Sequence, residues 1–236
     1  MAKLLLFDID GTMLRAYGAG VRSMLRAAEQ VIGERCRDAE INFGGAMDPW
    51  VFRLLLEHGR YEYSEDTHRT FRSVYGDLLR AELEGPANPC KALPGVHDLL
   101  AEVRRHPDLR LGLLTGNYPE TGLLKLRAAG IQPDWFEVAV WGDMADSRPG
   151  LIPLALARLP EPRVTAHDVV VIGDTLRDIH CAHENGALCL AVATGGNTKE
   201  ELIAGGADAV VDDLTDPQPL FDLLARERRR PTGNAA

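Results

Sequence analysis

The chain has 236 residues, 45% of them hydrophobic and 26% charged, with a formal net charge of −9. That is enough apolar content for a large buried core, so a disordered chain is excluded, and the acidic balance argues against nucleic acid, whose backbone calls for a concentrated basic face. Cys36, Cys90, Cys181 and Cys189 are scattered without C-x-x-C spacing, which excludes a disulfide framework and a zinc site and fits a reducing, cytoplasmic compartment.

The first element is a run of four large apolar residues, Leu4 to Phe7, which stops at Asp8-Ile9-Asp10-Gly11-Thr12. Such a run bounded by a turn signal reads as a strand buried on both faces, in the middle of a parallel sheet. It is too short for a secretory segment or a membrane span, and no membrane partner is expected. Asp8 and Asp10 fall just past its carboxyl end, the edge at which open α/β sheets bind ligands. Two carboxylates so close predict a bound cation or an acid/base couple.

Helical periodicity follows. Val21, Met24, Leu25, Ala28, Val31 and Ile32 form one stripe that Gly33 ends; Val51, Phe52, Leu55 and Leu56 form a second; Phe71, Val74, Tyr75, Leu78 and Leu79 form a third on a helix capped at Ser64. No strand pattern lies between Tyr17 and Leu83, so residues 16–88 read as an all-helical insert, closed by the Gly85 to Pro89 breaker stretch.

From Val96 onward helix and strand alternate. Helices are predicted over 96–104, 119–129, 151–159, 176–185 and 198–204, and strands over 109–114, 136–140, 169–172, 187–192 and 209–211. Alternation of this kind makes an α/β fold, a parallel sheet with helices on both faces, to which the first strand also belongs. The core is therefore 1–15 with 89–236. Arg226 to Arg230 is a basic cluster in a Pro/Gly/Asn tail and reads as a solvated end. His167, His180 and His183 read as surface or packing residues.

Three strands end in polar sequence: Asp8-x-Asp10, Thr115-Gly116-Asn117, and Gly173-Asp174-Thr175 followed by Asp178. Alone, Asp174 or Thr175 is an ordinary helix cap and Thr-Gly-Asn an ordinary turn. Together they would crowd Asp8, Asp10, Asp174 and Asp178 around one point, an arrangement that requires a divalent cation.

These motifs, with the helical insert and Leu93-Pro94-Gly95 at the return from it, resemble the haloacid dehalogenase (HAD) superfamily and within it phosphatases of the phosphoglycolate phosphatase type. The resemblance implies a Rossmann-like three-layer core with an inserted helical cap, and a hydrolase acting on a small phosphorylated metabolite, as a monomer or homodimer. Asp8 would be the nucleophile, forming an aspartyl phosphate, and Asp10 the acid and then the base. Mg2+ would be held by Asp8, the main-chain carbonyl of Asp10 and Asp174, with Asp178 as a further carboxylate. Thr115, with amides near Ile9 and Gly116, would bind the phosphoryl group beside Asn117.

One position departs from the family pattern: Arg148-Pro149 stands where Lys-Pro is usual. Arg148 is preferred as the catalytic cation over Lys125, because a helix starting at Pro119 carries Lys125 about 9 Å along its axis, away from the carboxyl edge. The cap segment facing the site is expected to be Asn42 to Pro49, with Gly45 permitting close approach and Asp48 capping the helix of Val51. Ala46 and Met47 replace the Lys or Arg and the Thr common in that type, which weakens the case for a carboxylate-bearing substrate; Arg15 and Tyr17 are candidates to compensate. A sugar phosphomutase and a non-catalytic binding module remain the alternatives.

Overall fold

The computed structural model describes residues 2–33, 41–85, 88–160 and 164–226. Cys36, the breaker residues 86–87 and the basic tail from 227 lie outside them.

Strand β1 (Lys3–Phe7) is the axis of the molecule. Leu4, Leu5, Leu6 and Phe7 have no exposed surface. It is flanked by β4 (Leu109–Leu114) and β6 (Val169–Gly173), and with β5 (Val138–Val140), β7 (Leu188–Val192) and β8 (Ala209–Val211) forms a parallel sheet in the order β5-β4-β1-β6-β7-β8. Period-two alternation sorts its side chains. Leu5, Phe7, Leu111, Leu113, Val170 and Ile172 pack on one face with α4 (Val96–Val103), α5 (Pro119–Ala128) and α9 (Gln218–Ala225). Leu4, Leu6, Leu114, Val169 and Val171 pack on the other with α6 (Leu151–Arg158), α7 (Leu176–Glu184) and α8 (Lys199–Ala204). The three-layer α/β core is as read from the sequence; α9 was not anticipated.

From β1 the chain moves outward in one direction through β4 and β5, then returns to the other side of β1 for β6, β7 and β8. The direction of winding thus reverses between β1 and β6, and such a switch point opens a crevice at the carboxyl ends of the strands. Phe7 pairs with Ile172, and the Asp8 N–H donates to the Ile172 carbonyl at 2.9 Å, so Asp8 and Gly173-Asp174 leave the sheet side by side.

After Asp10 the chain doubles back: the N–H groups of Met13 and Leu14 both donate to the Ile9 carbonyl. Two short strands, β2 (Leu14–Arg15) and β3 (Lys91–Ala92), then pair antiparallel and carry the chain into and out of the insert. This ribbon was not anticipated from the sequence, since two-residue strands offer no periodicity to detect. The insert consists of α1 (Ala19–Ile32), α2 (Asp48–Gly59) and α3 (Glu65–Leu83), with Gly33 at φ +89° ending α1 and the Ser64 side chain accepting from the Thr67 N–H to start α3. Phe52 stacks on Phe71 with ring centroids 4.3 Å apart, fastening α2 to α3.

Candidate active site

The carboxyl edge of the sheet and the underside of the insert enclose a cavity of about 450 Å³, lined by Asp8, Asp10, Gly45, Thr115, Gly116, Asn117, Lys125, Arg148 and Asp174 among others. Residues from each of the three strand ends therefore line one cavity, but the four carboxylates do not share one point as the sequence suggested: Asp8, Asp174 and Asp178 cluster, while Asp10 turns to Asn117 and Lys125.

Asp8 is buried. Its Oδ1 accepts the Ile9 N–H at 2.7 Å and its Oδ2 lies 2.9 Å from Arg148 Nη2. The same nitrogen is 2.5 Å from Asp178 Oδ1, while Arg148 Nη1 donates to the Gly45 carbonyl at 3.2 Å. Asp178 Oδ2 accepts from the N–H and the hydroxyl of Thr175, closing a capping box at the start of α7. Asp174 Oδ1 accepts from the Thr12 hydroxyl at 2.9 Å.

Carboxylate oxygens of Asp8, Asp174 and Asp178 all lie within 4.8 Å of one another. Burial pushes the Asp8 carboxyl up to about 6, with Arg148 opposing and Asp178 adding. Burial, then Asp178 and Asp8, hold Asp174 well above the usual carboxylate range. Arg148 goes the other way: burial disfavours its charge, but Asp178 and Asp8 outweigh that and raise its pKa. One guanidinium paired with Asp8 and Asp178, with Asp174 crowded against them, does not match three carboxylates, and an all-oxygen donor set of this kind suits a hard divalent cation such as Mg2+. Gly11 and Gly195 bring backbone against this cluster, since a Cβ on either would overlap the Asp174 carboxylate.

On the opposite wall Asp10 Oδ2 accepts from Asn117 Nδ2 at 2.9 Å and from Lys125 Nζ at 2.7 Å. Lys125 also donates to Asn117 Oδ1 at 2.6 Å, and Asn117 Nδ2 to Thr115 Oγ1 at 2.7 Å. Burial works against the ammonium of Lys125, but Asp10 and Asp48 outweigh it and its pKa rises. The Asp10 side chain is 43% exposed, and Thr115 is fully buried beneath it.

The structure corrects two further expectations. Lys125 does not point away from the site. Helical side chains tilt toward the N-terminus, and the long lysine stem covers the distance back along α5 to Asp10. Arg148 and Lys125 thus both line the cavity, Arg148 on Asp8 and Asp178 and Lys125 on Asp10. Asp48 does not cap its own helix either: α2 starts at Asp48 with no side-chain cap, and the Asp48 carboxylate instead crosses to the core, where Oδ2 accepts the Tyr118 N–H at 2.9 Å and the Thr121 hydroxyl at 3.4 Å at the start of α5. Burial pushes Asp48 up to about 7, with Lys125 and the Tyr118 N–H pulling against it.

Gly45 sits at φ +62° with its Cα against Thr175, and a Cβ on Gly116 would overlap the Ala46 carbonyl. The Asp48 N–H donates to the Gly116 carbonyl at 2.7 Å, so insert and core meet backbone to backbone over the cavity. Arg15 stands at the mouth, its guanidinium donating to the Thr194 carbonyl. The loop of Thr194, Gly195 and Gly196 was not singled out from sequence, although a Gly pair directly after a strand end is a signal of close backbone approach. Among the described residues no helix is long and apolar enough to cross a membrane.

Residues 144–217 match the HAD-hydrolase-like family model. A phosphoglycolate phosphatase of Nitrosospira multiformis is 30% identical over 227 residues, covering 93% of this chain and 95% of that protein. The pyrophosphatase PpaX of Bacillus pumilus is 24% identical over 220 residues, covering 89% and 92%. Among solved structures, a β-phosphoglucomutase from Clostridium difficile superposes with a TM-score of 0.70 at 18% identity, covering 96% of this chain and all of the other. A predicted phosphoglycolate phosphatase from Haemophilus somnus does so with a TM-score of 0.68 at 19% identity, covering 93% and 98%.

Proposed function

The chain belongs to the haloacid dehalogenase superfamily and is a phosphoric monoester hydrolase of the phosphoglycolate phosphatase type; on that premise we propose that it hydrolyses a small phosphomonoester through an aspartyl phosphate on Asp8, with Mg2+ as cofactor. The observation that carries this reading is the meeting of Asp8, Asp10, Thr115 and Asp174 in one cavity at the switch point of the sheet.

In the first half-reaction a carboxylate oxygen of Asp8 attacks phosphorus, the bond from phosphorus to the ester oxygen breaks, and Asp10 gives its proton to the departing alkoxide. In the second, Asp10 takes a proton from water; the hydroxide attacks phosphorus, the bond to the Asp8 oxygen breaks, and inorganic phosphate leaves with Asp8 restored. The two carboxylates have different surroundings. Asp8 is buried against Arg148, whereas Asp10 opens onto the cavity, where an alkoxide and then a water would lie.

Thr115, held by Asn117, and the amides near Ile9 and Gly116 bind the phosphoryl oxygens. Arg148 orients Asp8 and opposes the charge that collects on the transferring group, while Lys125 holds Asp10 and Asn117 in register. Asp8, the main-chain carbonyl of Asp10 and Asp174 would hold the Mg2+, which when bound neutralises the phosphoryl oxygens and the carboxylates around them. The helical insert, taken as residues 16–88, covers the site, and its Asn42 to Pro49 segment excludes water from the transfer step.

Phosphate release should be followed with and without Mg2+ over a panel of small phosphomonoesters, beside an Asp8→Asn variant. The reading requires Mg2+-dependent release, hydroxylamine-sensitive phosphate on the protein, and loss of both in the variant. Survival of activity in Asp8→Asn would reject the covalent route, and an isomerised sugar phosphate in place of released phosphate would reassign the chain to the mutases.

A further inference from the structure

Resting on the phosphatase reading, the lining of the cavity also bears on the leaving group. Away from the Asp8 end, the insert lines the cavity mainly with apolar side chains, Val21 and Met24 from α1, Phe43 and Ala46 from the crossing segment and Val51 from α2, with Tyr17 and Tyr75 beside them. Met24 and Val51 are buried, and Val21, Phe43 and Ala46 are half-buried.

The acidic group the insert sets among them is Asp48, a carboxyl held by the Tyr118 N–H and the Thr121 hydroxyl. Asp10 adds a second carboxylate, open to the cavity from the core. The two buried cations of the lining are already committed. Lys125 is on Asp10 and Asn117, and Arg148 is on Asp8 and Asp178. Arg15 is at the exposed mouth, turned to the Thr194 carbonyl and with its guanidinium carbon 5.9 Å from the Tyr17 ring centroid, where solvent screens its charge.

A substrate carrying a carboxylate or a second phosphate would place that anion against apolar side chains and beside the carboxyl oxygens of Asp48 and Asp10, and among the described residues the buried cations of the lining are already paired. An anion that gives up its water for such a wall and gains no cation in return is disfavoured. An uncharged carbon skeleton meets matching apolar surface there and leaves the existing ion pairs in place.

We infer that the substrate is the phosphomonoester of an uncharged aliphatic alcohol, and that the wall of Val21, Met24, Phe43 and Val51 with Asp48 rejects phosphoglycolate and pyrophosphate. This separates the chain from the activities for which its relatives in Nitrosospira and Bacillus are named.

The test compares kcat/KM for isobutyl phosphate with that for phosphoglycolate, in which a carboxylate takes the place of the isopropyl group, and for pyrophosphate. All are assayed with Mg2+ beside p-nitrophenyl phosphate. The expected result is a preference for isobutyl phosphate of at least about tenfold over either anion. In Val21→Lys, a half-buried position where an ammonium can reach the cavity, the ratio of phosphoglycolate to isobutyl phosphate should rise by about tenfold. A smaller preference in the native protein, or an unchanged ratio in a folded Val21→Lys, overturns the inference while leaving the phosphatase reading intact. Failure to release phosphate from every ester, p-nitrophenyl phosphate included, overturns both.

Discussion

Arg148 Nη2 lies 2.9 Å from Asp8 Oδ2, both side chains about 5% exposed, and the same nitrogen holds Asp178. A guanidinium can serve two carboxylates and the Gly45 carbonyl at once because its donors are fixed in a planar fork, which a lysine ammonium cannot imitate. Arg148→Ala should therefore strand two buried carboxylates and destabilise the protein by about 3–5 kcal/mol. Its turnover should fall much further than that of Lys125→Ala, which strands the partly exposed Asp10. Arg148→Lys should recover most of the stability and little of the turnover. Denaturant unfolding and kcat measured on the same preparations check all three, and a larger kcat loss in Lys125→Ala would reject the ranking.

The core was legible in the sequence wherever one physical signal dominated. Leu4 to Phe7 could be buried on both faces only inside a parallel sheet, and the carboxylates after it had to lie at the ligand edge. Reading stopped where the outcome depended on the length and direction of a side chain. Counting rise per residue located the Cα of Lys125 but not its ammonium, which returns along α5 to Asp10. Asp48 sits where a helix cap is expected, and its local sequence carries no trace of Tyr118, 70 positions away, whose N–H it accepts. The ribbon of β2 and β3 was invisible because two residues make no period.

Asp48 should make stability fall as pH rises. Its ordinary pKa of 3.8 moves up to about 7 in the folded protein, mainly through burial. Below about pH 4 both states are protonated. Between about pH 4 and 7 the unfolded chain gives up the proton while the folded one keeps it, so unfolding gains free energy steadily; above about 7 the penalty is constant, on the order of 4 kcal/mol. Asp48→Asn keeps an oxygen for the Tyr118 N–H and removes the ionisation. The native protein's stability relative to the variant, from denaturant curves across that range, should decline toward neutral pH and then level off. A flat difference would contradict the burial argument.

Metal binding should oppose that trend. Asp8, pushed up to about 6, and Asp174, held well above the usual carboxylate range, must lose their protons before their oxygens can ligate. Added Mg2+ should thus raise Tm clearly near pH 8 and little near pH 5, with EDTA reversing the gain. At a hundredfold excess over Kd the stabilisation is about 2.7 kcal/mol. Asp174→Asn should lose most of the shift at both pH values. Thermal unfolding with and without the ion is sufficient, and an equal shift at the two pH values would argue that these carboxylates are not the ligands.

Gly116 tests whether contact between insert and core matters for catalysis. A Cβ at this position would run into the Ala46 carbonyl, a backbone atom that no rotamer change can move aside. The Asp48 N–H to Gly116 carbonyl bond, at 2.7 Å, crosses the same junction. Since the insert is joined to the core through the narrow β2 and β3 ribbon, moving it as a body relieves the overlap at less cost than deforming β4 and the turn after it. Gly116→Ala should therefore fold with a core of near-native stability while its insert stands away from the sheet. Water then reaches the transfer step and kcat/KM falls by at least about tenfold, as expected when a closing element is misplaced. A larger radius of gyration in solution scattering, together with that kinetic loss, is the expected pairing. Full activity in a folded Gly116→Ala would show that close apposition of Ala46 and Gly116 is not required for turnover.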